Sequence, residues 1–342
     1  MIVPRRARRS RRATTLPRIF ESPEQPAPRL SRRRVLLGRL KQPSAYLEPL
    51  VHGGLALARG AGAHVLRLDF PPSADPRPRW GHGRPPHPRL LAALHAREAE
   101  FRAALEAIAA HGDALRAIPL APAAPGEPYW HTDWLPGLDA AALYAFVRDG
   151  APRRYVEIGS GSSTAFAARA VRDAGAATEV VSIDPSPRAE VDALCDRVVR
   201  APLERADLSV FEELARGDVV FFDGSHRTFA GSDATVFFLE VLPALPEGVL
   251  VGVHDVFLPA DYPPSWRGRW YSEQYLLGAY LLADAPLVRP VLAAYYASGV
   301  APLRDVLAPL WRELPGVHPL GTAFWFRVDS AGEAAGDPLG AR

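Results

Sequence analysis

The chain predicts an α/β fold, a doubly wound and mostly parallel sheet preceded by a mainly helical extension. Three observations carry this. After Pro152, short β-rich apolar runs alternate with helical stretches, which requires crossover connections and a parallel sheet covered on both faces. Between residues 90 and 108 the apolar residues recur at helical spacing. Ahead of residue 40 neither period is present.

The first 39 residues carry 12 Arg against Glu21 and Glu24, whereas the 342-residue chain nets only +2, so the body is acidic and the basicity is a tail. The run Arg5-Arg6-Ala7-Arg8-Arg9-Ser10-Arg11-Arg12, the Pro-rich stretch to Pro28 and Arg32-Arg33-Arg34 read as disordered. With no apolar core after Arg8-Arg9 or Arg11-Arg12, the tail is neither a Sec nor a twin-Arg signal. A solvated tail or misassigned start, a polyanion contact and organellar targeting remain open for it. Because only this tail is basic, nucleic acid is expected to make at most weak contacts there. The single Cys195 excludes an intramolecular disulfide scaffold and a Cys-based zinc cluster. No apolar run reaches the length of a membrane span, so the expectation is a cytoplasmic protein without a membrane partner.

Residues 40–127 form the expected N-terminal extension, a helical cap. Leu90, Leu91, Leu94, Phe101, Ala104, Leu105 and Ile108 share one helical face, interrupted at Arg97-Glu98, which predicts an amphipathic helix of about 20 residues ending near His111-Gly112. Residues 128–330 are the expected sheet domain, and 331–342 a disordered tail. Pro128-Tyr-Trp-His-Thr-Asp-Trp-Leu-Pro-Gly137 precedes a helix from Leu138 to about Arg148; Trp130 in this segment could line a pocket or dock the loop on the core.

Five strands then follow: Tyr155–Ile158, Val180–Ile183, Val198–Val199, Val219–Phe222 and Gly248–Val253, with helices near 163–174, 208–216 and 237–245. Ligands of such sheets bind beyond the C-terminal strand ends, so the residues just after each strand matter most. There stand Glu157-Ile-Gly159-Ser160-Gly161, then Asp184-Pro185-Ser186, then Asp223-Gly-Ser-His226, and finally His254-Asp255. Gly159 and Gly161 allow a tight turn and close backbone approach to a ligand. Thr164 stands where a dinucleotide fingerprint has its third Gly, which argues against NAD. Glu157 suits a cationic ligand better than a phosphate. Asp184, at the end of the second strand, suits the two hydroxyls of a ribose, although Asp-Pro also simply starts turns.

This ordered set over roughly 128–328 resembles the class I S-adenosylmethionine-dependent methyltransferases, and most nearly the family 24 group of small-molecule O-methyltransferase-like proteins. The resemblance implies a Rossmann-like sheet of seven strands whose last two, Val288–Ala293 and Thr322–Val328, form an antiparallel hairpin. It implies S-adenosyl-L-methionine as cofactor, with Glu157, Gly159, Ser160 and Gly161 at its methionine part, Asp184 with Pro185 at its ribose, Asp223 beside it and adenine near Arg200–Leu203. In catechol-type relatives, an Asp at the position of Asp223 binds a divalent cation, a Lys at the position of His226 takes the acceptor's proton, and Asp255 matches a second metal-binding Asp. Val256 stands where those relatives have Asn, which puts a metal such as Mg in doubt.

His226 is the expected general base because its ring titrates near neutrality three residues beyond Asp223. Asp223, His254 and Asp255 complete the catalytic candidates. A divalent metal on Asp223 and Asp255 with one or both His, and a site without catalysis, are the competing readings, since His254 could be a core histidine and Asp223 a turn cap. Tyr262 and Trp266 in the Pro-rich loop, and Glu273 and Gln274 in the first turn of a helix running to about Ala283, are expected with Trp130 to meet a small-molecule acceptor. Capping and packing are the alternative for that helix. A nicotinamide-dependent oxidoreductase and a noncatalytic nucleoside- or nucleic-acid-binding protein are the other function classes.

Overall fold

The computed structural model describes residues 76–187 and 189–329. The expectations for the Arg-rich tail, for the extension ahead of residue 76 and for the C-terminal tail lie outside these. The described residues fall into two compact units, one of 79–261 with 271–329 and one of 76–78 with 262–270. In the second, a single turn at Pro264–Trp266 is followed by Arg269, whose guanidinium lies 3.8 Å from the centroid of the Trp266 ring. The first holds the sheet, and the helices between 88 and 116 belong to the same unit.

The sheet has seven strands: β1 Arg154–Ile158, β2 Glu179–Ile183, β3 Arg197–Val199, β4 Val219–Phe222, β5 Leu250–Val253, β6 Arg289–Ala293 and β7 Phe324–Arg327. Their order is β3-β2-β1-β4-β5-β7-β6, with β3 to β5 parallel and β7 antiparallel to both neighbours. The α/β doubly wound fold with an antiparallel end is therefore the one read from the sequence. β4 and β5 read Val-Val-Phe-Phe and Leu-Val-Gly-Val with every residue buried, as strands covered on both faces must. Phe222 stacks on Phe237 at 4.3 Å and Phe146 meets Trp325 edge-on at 5.0 Å, so helices cover the sheet through aromatic contacts. Phe222 and Phe237, both fully buried, each contribute roughly 1.5–3 kcal/mol by burial.

Several elements differ from expectation for local reasons. The long amphipathic helix is two helices, Pro88–His95 and Glu98–Ala110, and the break falls at Ala96-Arg97, next to the interruption of the apolar stripe. Of its expected core face, Leu90, Leu94, Phe101, Ala104, Leu105 and Ile108 are buried and Leu91 is half-buried. The helix expected over 208–216 shrinks to Ser209–Glu212. Asp218 accounts for this, because its carboxylate accepts the N–H groups of Ala215 and Arg154, both at 2.9 Å, and so offers the backbone a partner outside the helix. β6 and β7 are antiparallel neighbours but not a tight hairpin, since the helices Ala294–Gly299, Ala301–Arg304 and Ala308–Arg312 lie between them. Among the described residues no helix is long and apolar enough to cross a membrane.

Candidate active site

Each inner parallel strand carries its hydrogen-bond ladder one residue further. Asp184 N–H donates to Val199 O (3.0 Å), Gly159 N–H to Ile183 O (3.0 Å), Asp223 N–H to Ile158 O (2.8 Å) and His254 N–H to Phe222 O (2.9 Å). Register alone therefore lines up Asp184, Gly159, Asp223 and His254 along one edge. The direction of strand order reverses between β1 and β4, within this row. That is where an open α/β sheet has its crevice.

The two glycines of the β1 turn do different things. Gly159 has φ +83°, and a Cβ there would stand 1.9 Å from the carbonyl oxygen of Asp223, so the approach of the two strand ends demands glycine. Gly161 is extended, and a Cβ there would meet nothing within 4 Å. The chain itself thus leaves open space at Gly161, directly before the helix Ser162–Ala174. Thr164, which stands in place of the third Gly of a dinucleotide fingerprint, ties the turn together: its hydroxyl accepts Gly161 N–H at 3.0 Å and donates to Glu157 Oε2.

Glu157 is wholly buried, with Tyr155 Oη–H donating to its other oxygen at 3.0 Å. Burial pushes its carboxyl up to about 7 against the pull of the hydroxyls around it. Glu157 therefore braces the turn through Thr164 and is not exposed for direct ligand contact. At the end of β2, Asp184 accepts Ser160 N–H on one oxygen (2.7 Å) and Ser186 N–H on the other (2.6 Å). These bonds fix the carboxylate beside the glycine turn, with exposed Pro185 next to it. Nearby, the Arg200 guanidinium donates to Asp184 O at 3.1 Å and Leu203 is buried.

At the ends of β4 and β5 two imidazoles interleave with four carboxylates. His226 Nδ1 meets Glu273 Oε1 at 2.5 Å, while its Nε2 lies 3.2 Å from Asp223 Oδ1 and 3.6 Å from Asp255 Oδ2. His254 Nδ1 lies 3.2 Å from Asp223 Oδ1 and 3.6 Å from Asp255 Oδ1, and its Nε2 is 3.3 Å from Asp139 Oδ2. Burial by itself would lower both histidines, but the surrounding carboxylates overcome it and hold both well above the ordinary imidazole range. Burial raises Glu273 to about 7, with His226 pulling the other way. Burial would raise Asp223 too, yet the two imidazoles drive its carboxyl far below the usual range. His226 and Asp255 both take left-handed backbone, with φ 61° and 58°, a conformation that costs a non-glycine residue roughly 1–3 kcal/mol. The Tyr271 ring lies 4.4 Å from that of His226, and the Arg227 guanidinium lies 5.2 Å from Tyr271.

His226 is thus not the bare imidazole the sequence suggested. Both ring nitrogens face carboxylates, so the ring carries both protons in this arrangement. Of the residues expected to meet an acceptor, Trp130 is a core anchor: it is buried, donates Nε1–H to Leu115 O at 3.1 Å and packs edge-on against Phe166 and Trp311. The same segment still reaches the glycine turn through Thr132, whose hydroxyl is 2.9 Å from that of Ser162. Glu273 and Gln274 point inward and are fully buried, but Gln274 accepts Phe257 N–H at 2.8 Å and shapes the loop after β5, leaving Glu273 at the imidazole-carboxylate cluster. Tyr262 and Trp266 belong to the second compact unit. Asp139 escaped sequence reading, because an acid in the first turn of a helix ordinarily complements the helix dipole on the surface.

The donor set also bears on a metal. One ligand atom each from Asp223, His226 and Asp255 lie within 4.8 Å of one another, two carboxylates and an imidazole that suit a divalent cation. Val256 adds no oxygen: its side chain is buried, and its N–H donates to Thr322 O at 2.7 Å.

Residues 156–256, from within β1 to just past β5, match the model of a family described as a methyltransferase domain. Over that segment the chain is similar to methyltransferase domains. This bears out the resemblance read from the strand ends. Among solved structures, the chain is similar to the SAH-bound methyltransferase PaMTH1 of Podospora anserina, with 20% identity over 54% of this chain and 81% of that one and a TM-score of 0.33. It is also similar to an O-methyltransferase from Bacillus cereus in complex with SAH, with 17% identity over 67% and 91% and a TM-score of 0.36. No curated protein matches it.

Proposed function

We propose that the protein transfers a methyl group from S-adenosylmethionine to an oxygen of a small molecule, with the His226–Glu273 pair taking the acceptor's proton. The observation that carries this is the row of strand ends within the methyltransferase domain: a glycine turn with open space at Gly161, Asp184 fixed beside it, and an imidazole-carboxylate cluster one strand away. Bound there, the cofactor supplies a methyl group on a sulfonium, an electrophile that needs no further activation.

The protein's tasks are then to orient and to deprotonate. Gly159 sets the turn, and Gly161 and Ser160 border the methionine part, with Glu157 bracing them from within. Asp184 takes the ribose hydroxyls through lone pairs not used by the Ser160 and Ser186 amides, a capacity that a carboxylate has and its two backbone bonds do not exhaust. Asp223 and Asp255 would border the acceptor oxygen, and the cofactor, when bound, would supply the methyl carbon to that oxygen and keep the electron pair of the broken bond on its sulfur. His226 Nε2 must first release its own proton; the hydroxyl proton then enters at that vacated nitrogen as the Nδ1 proton moves along the 2.5 Å contact to Glu273, whose carboxyl is held near 7.

A second reading rests on the convergence of Asp223, His226 and Asp255. A divalent cation on them would lower the pKa of a bound hydroxyl, and His226 would be a ligand and not a proton acceptor. Activity unchanged after exhaustive chelation removes this reading.

Calorimetry with S-adenosylmethionine, S-adenosylhomocysteine and NAD tests the assignment. Heat is expected with both sulfur compounds and none with NAD. Asp184→Ala should abolish most of that heat, and no heat with either sulfur compound from the unaltered protein would sink the proposal.

A further inference from the structure

We infer that Asp139 is a positioning residue of this site, holding His254 so that its other nitrogen fixes the Asp223 carboxylate. The inference rests on the methyltransferase reading for its effect on turnover, while its geometry stands independently. Asp139 lies in the first turn of the helix Gly137–Gly150 and is wholly buried. An isolated buried carboxylate is expensive, and this one is compensated by donors from the approach to β7. It accepts Thr322 N–H at 2.7 Å, Thr322 Oγ1–H at 3.1 Å and Ala323 N–H at 2.8 Å.

Those three donors would suffice to staple the helix to β7. A structural staple has no need of a fourth partner from another strand. Yet Asp139 Oδ2 also stands 3.3 Å from His254 Nε2, an ion-pair contact outside hydrogen-bond geometry, at a fully buried nitrogen that has no hydrogen-bond partner among the described residues and would otherwise be left without compensation. An imidazole is rigid, so anchoring Nε2 dictates where Nδ1 points. Nδ1 lies 3.2 Å from Asp223 Oδ1, the same oxygen that faces His226 Nε2 at 3.2 Å. The helix, β5 and β4 are thereby linked in one line, Asp139 to His254 to Asp223, whose far end is the reacting cluster. Without Asp139, the His254 ring keeps its space but loses the contact that sets its rotation.

The test combines a ring-nitrogen signal with a double-mutant cycle. In Asp139→Asn, the ¹⁵N resonances of His254 should shift while those of the surface residue His131 stay in place. Turnover should fall roughly 10- to 100-fold, with the affinity for S-adenosylhomocysteine unchanged. In a His254→Gln background, Asp139→Asn should cause no further loss of turnover although it still lowers the melting temperature. Thr322→Val, which removes only the hydroxyl donor, should move the His254 resonances in the same direction by less and keeps the question answerable where Asp139→Asn folds poorly. Unshifted His254 resonances in both variants, or additive losses of turnover in the cycle, would overturn the inference. A protein with no methyl transfer at all would sink the function reading and leave the resonance test of Asp139 standing.

Discussion

His226 Nδ1 and Glu273 Oε1 meet at 2.5 Å in the buried core of the site, although 47 residues separate them in the chain. His226 lies past the end of β4 and Glu273 opens the helix Glu273–Leu282. In the proposed mechanism this contact makes His226 one half of a proton-accepting pair.

Removing each half should therefore have unequal effects. His226→Ala is expected to leave S-adenosylhomocysteine binding intact and to lower turnover by about 10²–10⁴, the usual range for a lost acid-base group. Glu273→Gln should cost about tenfold and should cost nothing further once His226 is already Ala. Single-turnover rates together with calorimetry check this, and a loss of cofactor affinity in His226→Ala would show the roles to be misassigned.

The two turn glycines should separate stability from binding. Gly159→Ala places a Cβ against the Asp223 carbonyl on left-handed backbone and should cost more than about 1–2 kcal/mol in urea unfolding. Gly161→Ala, extended and facing empty space, should unfold within about 0.5 kcal/mol of the parent. Its calorimetric titration with S-adenosylhomocysteine should nevertheless weaken, and unchanged binding would place the cofactor elsewhere.

Stability should fall as pH rises from about 4.5 through about 7, in part because of Glu157. Its native carboxyl holds a proton more tightly than the unfolded chain does. Its contribution is thus complete below the unfolded value near 4.5 and is lost as pH passes the folded value near 7. The change it adds is on the order of 3 kcal/mol at most. Glu157→Gln should flatten this portion of a urea-midpoint profile taken between pH 5 and 8.

Much of the framework was legible in the sequence because it is written locally. Val219–Phe222 is an unbroken apolar run, and its bounds as a strand are those read from the pattern. The apolar pattern over 208–216 overstates the helix because Asp218, outside that pattern, draws backbone amides to itself. Trp130 shows the same limit at the site: nothing in Tyr-Trp-His-Thr-Asp-Trp says which ring goes inward, and Phe166 and Trp311 decide it.

Alone, the sequence determined the alternation of strands and helices and the polar residues that follow each strand, since both depend on neighbours in the chain. Tertiary structure decided what those polar residues face. Asp139, Asp223, His254 and Glu273 come from four separate segments, and their approach is set by strand order, by parallel register and by where two helices begin. The charge state of His226 follows from that approach, because besides its neighbour Asp223 it depends on Asp255 and Glu273, a few ångströms away in space and dozens of residues away in sequence.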